Sequence, residues 1–247
     1  MTNTEYDTTT GPAGANALSA EEQLERATEA KLYGLFKTFF RTAEEDRRWN
    51  VWTDVPWEDA PLSPAPALVD AVLDSYREDL FLPDYSARTL HLLRASRGRA
   101  WFLTRWSYEE GKHMLGLNEW LMRTKAYGDV EIRELTEAHL QAYRWEPLYT
   151  DSIAIFADML LWEMREIERY GALHSLALES GDPALAKLAG HIVDDENAHR
   201  EFFQAALAIS ANAYPDKVSD AIARVAAAQE FPGGESALRA LLAVATA

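Results

Sequence analysis

Two Glu-x-x-His motifs, each preceded by a second acid, constrain this chain more than anything else in it. They read Glu109-Glu110-Gly111-Lys112-His113 and Asp195-Glu196-Asn197-Ala198-His199. Residues three apart in an α-helix share a face, so Glu110 and His113 can grip one metal ion together, as can Glu196 and His199. Two such pairs, plus one carboxylate from each of two further helices, complete a dinuclear site inside a four-helix bundle. The motifs therefore ask for four long helices with a metal centre between them.

The rest of the chain supplies those helices. Ser19 can cap, Glu21 and Glu22 follow, and Leu24, Ala27, Leu32, Leu35, Phe36 and Phe39 recur at helical spacing, which predicts a helix fraying near Asp46. Residues 1–18 lack such periodicity and read as a disordered tail, leaving 19–247 as a single domain. A Trp- and Pro-rich connection runs from Trp49 to Pro66. The core helices are expected at about 66–96, 99–127, 148–179 and 183–212. Pro83 should kink the first, and Gly98 marks the break after it. Gly128 and Asp129 end the second, Val130 to Glu146 forms a crossover, and Pro147 opens the third. In Ser180-Gly181-Asp182-Pro183, Gly ends one helix, Asp caps the next and Pro takes its first position. Two short helices follow, split by Pro232-Gly233-Gly234. The fold class expected is all-α: a ferritin-like four-helix bundle with one long crossover, an extra N-terminal helix and short C-terminal helices.

Composition narrows the function. The chain of 247 residues has no Cys, which removes disulfides and thiolate ligands, and its formal charge of −16 argues against nucleic acid or an anionic membrane as partner. No apolar run approaches membrane-spanning length and no signal-peptide pattern opens the sequence, so the expected location is the cytoplasm.

The remaining ligands are sought on the first and third core helices. Glu163 lies 33 residues before Glu196, and across a hairpin turning at 180–182 the two sit at similar depth. Glu168 would lie one to two turns nearer the bend. On the first helix Glu78 or Asp79 can reach, depending on how Pro83 distorts the backbone. A ligating imidazole usually donates its second N–H to a carboxylate. Asp195 would serve His113 in this way, and Glu109 would serve His199. Carboxylate and imidazole suit iron or manganese and admit zinc. Trp101, Trp106 and Trp120 read as core packing, and His91, His139, His174 and His191 as ordinary helix residues.

At these residues the chain resembles the soluble acyl-carrier-protein desaturases of the ferritin-like di-iron superfamily. Thr104-Arg105-Trp106-Ser107-Tyr108-Glu109-Glu110-Gly111-Lys112-His113 is similar to that family's Trp-Thr-Ala-Glu-Glu-Asn-Arg-His segment. Asp195-Glu196-Asn197-Ala198-His199 is similar to its Asp-Glu-Lys-Arg-His region. Leu82-Pro83-Asp84-Tyr85 resembles its Leu-Pro-x-Tyr, which puts Asp79 in the position of the first ligand; Glu78 needs a one-residue shift. Trp49 resembles the Trp that joins His113 and Asp195. The resemblance covers roughly residues 45–212. It implies a homodimer with two iron ions per chain, electrons from a donor such as ferredoxin, and an acyl substrate on a carrier protein. The resemblance departs at Glu166, where the family usually has Thr one turn after Glu163. Glu166 would either enter the site or lie in solvent, paired with Arg169 or Arg165. Arg88, Arg94, Arg97, Arg99 and Lys112 are the candidate basic patch for an acidic carrier.

The function expected is thus an O2-dependent di-iron oxidoreductase that removes hydrogen from an acyl chain or related apolar substrate. Hydroxylation or N-oxygenation of a small or carrier-bound molecule is the alternative within enzymes. An iron-oxidising storage protein is the alternative of another class.

Overall fold

The computed structural model describes residues 18–228 and 234–245. The expected tail, apart from Leu18, lies outside the described residues, as do Pro232 and Gly233 of the last turn. Among the described residues the chain forms nine α-helices and one short 3-10 turn, Trp57–Asp59, with no strand. The helices are α1 (Ala20–Glu45), α2 (Pro66–Asp79), α3 (Leu82–Leu93), α4 (Arg97–Arg123), α5 (Asp129–Ala142), α6 (Ser152–Glu179), α7 (Pro183–Ala213), α8 (Pro215–Ala228) and α9 (Gly234–Ala245). None is long and apolar enough to cross a membrane.

The main hairpin is α6 against α7. Its turn follows the sequence closely. Gly181 adopts φ +70°, a conformation that costs an L-residue with a Cβ and not glycine. Asp182 accepts a hydrogen bond from the Leu185 backbone N–H at 2.9 Å, while Trp120 of α4 donates its indole N–H to the same carboxylate at 2.7 Å. The cap that starts α7 is thereby tied to α4. At the other end of the chain, α1 begins with the reciprocal Ser19–Glu22 capping box and packs across α4 and α7.

Several boundaries differ from expectation. The predicted helix 66–96 is two helices. α2 stops at Asp79 and α3 restarts at Leu82, because Pro83 has no N–H to continue the ladder and instead occupies the first turn of α3. The third core helix starts at Ser152 and not at 148. Asp151 caps it, accepting from the Ala154 N–H at 2.9 Å, and Pro147 lies in the preceding connection. Gly98 does not break the chain; it lies inside α4, which begins at Arg97 and ends at Arg123 and not at 127. An added Cβ at Gly98 would stand 2.4 Å from the Leu32 carbonyl carbon, so glycine lets α1 and α4 cross backbone to backbone. Trp106 and Trp120 are core residues as expected, but Trp101 is 58% exposed.

Along α4, α6 and α7 the apolar core comes in two blocks. One gathers Phe102, Trp106, Phe156, Leu160, Phe202 and Phe203. The other gathers Leu117, Trp120, Tyr170, Leu173, Leu185 and Ile192. Between them each helix places its acids and histidines, at 109–113, 163–166 and 195–199. The apolar blocks seal a polar layer from both sides.

Candidate metal centre

Glu110 of α4, Glu163 of α6, and Glu196 and His199 of α7 each direct one ligand atom into a common space, where the four atoms lie within 4.8 Å of one another. All four side chains are buried. His199 Nδ1 stands 3.2 Å from Glu110 Oε1, 3.5 Å from Glu163 Oε2 and 3.4 Å from Glu196 Oε2. Its other nitrogen, Nε2, meets Glu109 Oε2 at 2.9 Å. His113 repeats the plan. Its Nδ1 lies 3.2 Å from Glu196 Oε1 and 3.7 Å from Glu110 Oε2, and its Nε2 faces Asp195 Oδ2 at 3.4 Å.

Each outer carboxylate is held in turn. Asp195 accepts from the Trp49 indole N–H at 2.7 Å, from Arg47 at 2.6 Å and from Lys112 at 3.3 Å. Glu109 pairs with Arg105 at 3.1 Å and with Arg47 at 3.8 Å. Glu163 accepts from the Trp106 indole N–H at 2.9 Å, and Asp79 from the Tyr170 hydroxyl at 2.8 Å. Asp79 is buried whereas Glu78 is partly exposed, and Glu168 is exposed. Glu166 is buried, not solvated. Arg169 approaches its Oε1 at 3.4 Å, and neither carboxylate oxygen makes a hydrogen bond.

Sequence reasoning overlooked Tyr170 and Trp106 as partners of the acids. The signal was present: Trp106 precedes Glu110 by four residues and Tyr170 follows Glu166 by four, so helical periodicity puts each on the face that carries its neighbouring acid. Part of the expected basic patch is taken up by pairing. Arg99 is buried against Glu29 at 2.9 Å, Lys112 is engaged by Asp195, and Arg88 pairs with Glu146 at 3.3 Å. His191 is no bystander, since its ring stacks on Trp49 with centroids 5.0 Å apart.

Electrostatics show what the layer lacks. Burial raises Asp79 well above the usual carboxylate range, with Glu110 adding repulsion. Burial likewise raises Glu163, with Glu196 adding to it, and pushes Glu166 up to about 9 against the opposing pull of Arg169. Burial opposes a charged imidazole, yet Glu110 and Asp195 outweigh it at His113, and Glu109, Glu110 and Glu163 outweigh it at His199, so both histidines are raised. For Asp195 and Glu196 burial is outweighed by the histidines, and both are lowered. Meanwhile Glu110 Oε1, Glu163 Oε2 and Glu196 Oε1 are buried and make no hydrogen bond, although an imidazole Nδ1 stands 3.2, 3.5 and 3.2 Å from them; His113 Nδ1 makes none either. Buried carboxylate oxygens without a well-directed donor are costly. A divalent cation satisfies several of them at once, and hard oxygen with imidazole is a donor set that iron, manganese and zinc accept. The residues present therefore fit a metal.

Beside this layer lies a cavity of about 170 Å³, walled by Tyr85, Trp106, Trp145, Leu148, Met159 and Trp162, with Thr89, Glu146, Asp158 and Arg165 also in its lining. Trp106 is common to both: its ring faces the cavity and its N–H holds Glu163.

Fold and site together define an all-helical bundle built round a buried carboxylate–histidine cluster. Over 105 residues, 41% of the chain, it is 34% identical to DesA2 of Mycobacterium tuberculosis (strains CDC 1551 and H37Rv), whose name reads "putative acyl-(acyl-carrier-protein) desaturase". The matched stretch spans 36% of that protein's length. The X-ray structure of DesA2 from strain H37Rv shares the fold, with a TM-score of 0.57, 19% identity, and coverage of 89% of this chain and 86% of that one. No protein-family profile matches the chain.

Proposed function

We propose that the chain is a dinuclear iron oxidoreductase that uses O2 to attack an unactivated C–H bond of an apolar substrate, with desaturation of the DesA2 type as the nearest precedent. The observation that carries the reading is the convergence of Glu110, Glu163, Glu196 and His199 on one buried space, with carboxylate oxygens that make no hydrogen bond. His113 and Asp79 extend the set to six, and of the two first-helix candidates Asp79 is favoured over Glu78 because it is the buried one. Iron bound there would supply the electrons for reducing O2 and the oxidant that takes hydrogen from the substrate.

The chain's own residues do the rest. Glu109 and Asp195 hold the outer nitrogens of His199 and His113, fixing ring orientation and raising basicity at the inner nitrogens. Trp49, Arg47 and Lys112 balance the charge of Asp195. In the metal-free protein burial keeps the Glu166 carboxyl protonated at neutral pH beside the cluster. The two apolar blocks exclude water. An external protein such as a ferredoxin would deliver electrons, the acyl substrate would ride on a carrier, and a homodimer is the working assembly.

The cavity against Trp106 favours an enzyme over an iron store, because storage needs no organic guest. Hydroxylation and N-oxygenation use the same site and differ in the bond presented to it. Anaerobic Fe(II) loading followed by desalting tests the reading. About two irons per chain are expected. Many irons per chain would move the assignment to storage, and none in a folded protein would end it.

A further inference from the structure

We propose that the cavity beside the cluster takes a compact apolar group of single-ring size and turns away a long straight chain. The chemistry done to that group rests on the metal-centre reading above; its binding does not. The argument begins with volume. The cavity measures about 170 Å³. A dry cavity of roughly 150 Å³ in another protein takes up one benzene molecule. A methylene fills about as much space as a water molecule, whose share is about 30 Å³, so a twelve-carbon chain needs on the order of 350 Å³.

The walls point the same way. Tyr85 stands at the centre of three indoles, with ring centroids 5.3 Å from Trp106, 5.8 Å from Trp145 and 6.3 Å from Trp162. The interplanar angles of 50°, 80° and 55° are the tilted and edge-on arrangements in which aromatic rings pack well. Such walls are also stiff. Tyr85 and Trp106 are buried, and the Trp106 indole is pinned by its hydrogen bond to Glu163. A guest cannot lengthen the cavity inward without breaking that bond and disturbing the cluster. Trp145, Glu146 and Leu148, all in the connection between α5 and α6, complete the wall on another side. The pocket thus reads length by a fixed floor, and a short acyl group and an aryl group share the chemistry it selects.

The test uses the full-length chain and N-acetylcysteamine thioesters that differ only in their acyl part: benzoyl, hexanoyl and lauroyl. Calorimetry on the metal-free protein measures binding, and Co(II) titration separately measures the metal centre. Benzoyl or hexanoyl thioester is expected to bind at least about tenfold tighter than lauroyl, and the better of the two identifies ring or short chain. Met159→Trp, which fills the cavity, should weaken that binding by at least about tenfold while Co(II) uptake is retained. Should Met159→Trp fail to fold, Trp162→Ala serves instead and should narrow the gap between hexanoyl and lauroyl. Equal binding of all three thioesters, binding of none, or indifference to both variants overturns the proposal. Loss of Co(II) uptake by the wild-type chain sinks the metal reading and leaves this one standing or falling on calorimetry alone.

Discussion

The two histidine-centred halves of the polar layer share a plan and differ in how firmly it is closed. His199 sits among three carboxylates carried by unbroken helices, and its ligand atom is within 4.8 Å of all three. His113 has Glu110 and Glu196 in common with it, but the third acid proposed for its half is Asp79, the last residue of α2, where Pro83 forces the helix to stop, and Asp79 lies outside the group of four converging atoms. Asp is one methylene shorter than Glu, and the Tyr170 hydroxyl already claims it. On the proposed ligand set, one half is therefore preorganised and the other rests on a helix end. Precision at a metal site comes from the element that carries the ligand as much as from the ligand itself.

The largest expected effect removes what the halves share. Glu196 lies 3.2 Å from His113 and 3.4 Å from His199, so Glu196→Ala should abolish retained metal in both, read as Fe(II) or Co(II) per chain after desalting. Retention of one ion would mean that Glu196 serves one half alone. Next come the single histidines. His199→Ala and His113→Ala should each fall from about two ions to about one, but the ion left by His113→Ala should be held more tightly, since it occupies the closed half. Equal affinities in a chelator competition would dissolve the asymmetry.

A smaller effect separates the outer hydrogen bonds. Trp106→Phe removes the N–H that holds Glu163, and Tyr170→Phe the O–H that holds Asp79. Loss of such a support typically costs about 10- to 100-fold in metal affinity. Trp106→Phe should weaken the His199 half and Tyr170→Phe the His113 half, which site-resolved Co(II) spectra can tell apart.

Much of this layout was legible in the sequence, and the reasons are local. The paired motifs and their acids lie at fixed helical spacing, so periodicity puts them on inward faces, and Glu163 follows from its similar distance to the hairpin bend. The Gly181-Asp182-Pro183 turn carries its own stereochemistry. What failed to show depended on packing between distant segments. Gly98 reads as a breaker until Leu32 of α1 is seen against it. Pro147 reads as a helix start, although Asp151 has the side chain to cap one. Trp101 and Trp106 are indistinguishable as letters, yet one faces solvent and the other holds a carboxylate. Arg99 and Lys112 read as surface charge until Glu29 and Asp195 claim them.

Glu166 belongs to neither half, and its variant should show the smallest change in metal content. Burial raises its carboxyl to about 9, so in the folded metal-free chain it is protonated at pH 7. In the unfolded chain it would ionise near pH 4.3. Between those values the folded state binds the extra proton, and stability falls as pH rises. Glu166→Gln keeps a neutral side chain of the same shape and removes the titration. Metal-free wild-type protein should therefore lose thermal stability relative to Glu166→Gln as pH climbs from 5 to 9, while the two converge near pH 4. Parallel melting curves across that range would mean that Glu166 is ionised in the fold, drawn down by Arg169 at 3.4 Å, and available as a further anionic arm of the cluster. That result would shift the balance between the halves, because the charge would sit one helical turn from Glu163 and reinforce the side that is already closed.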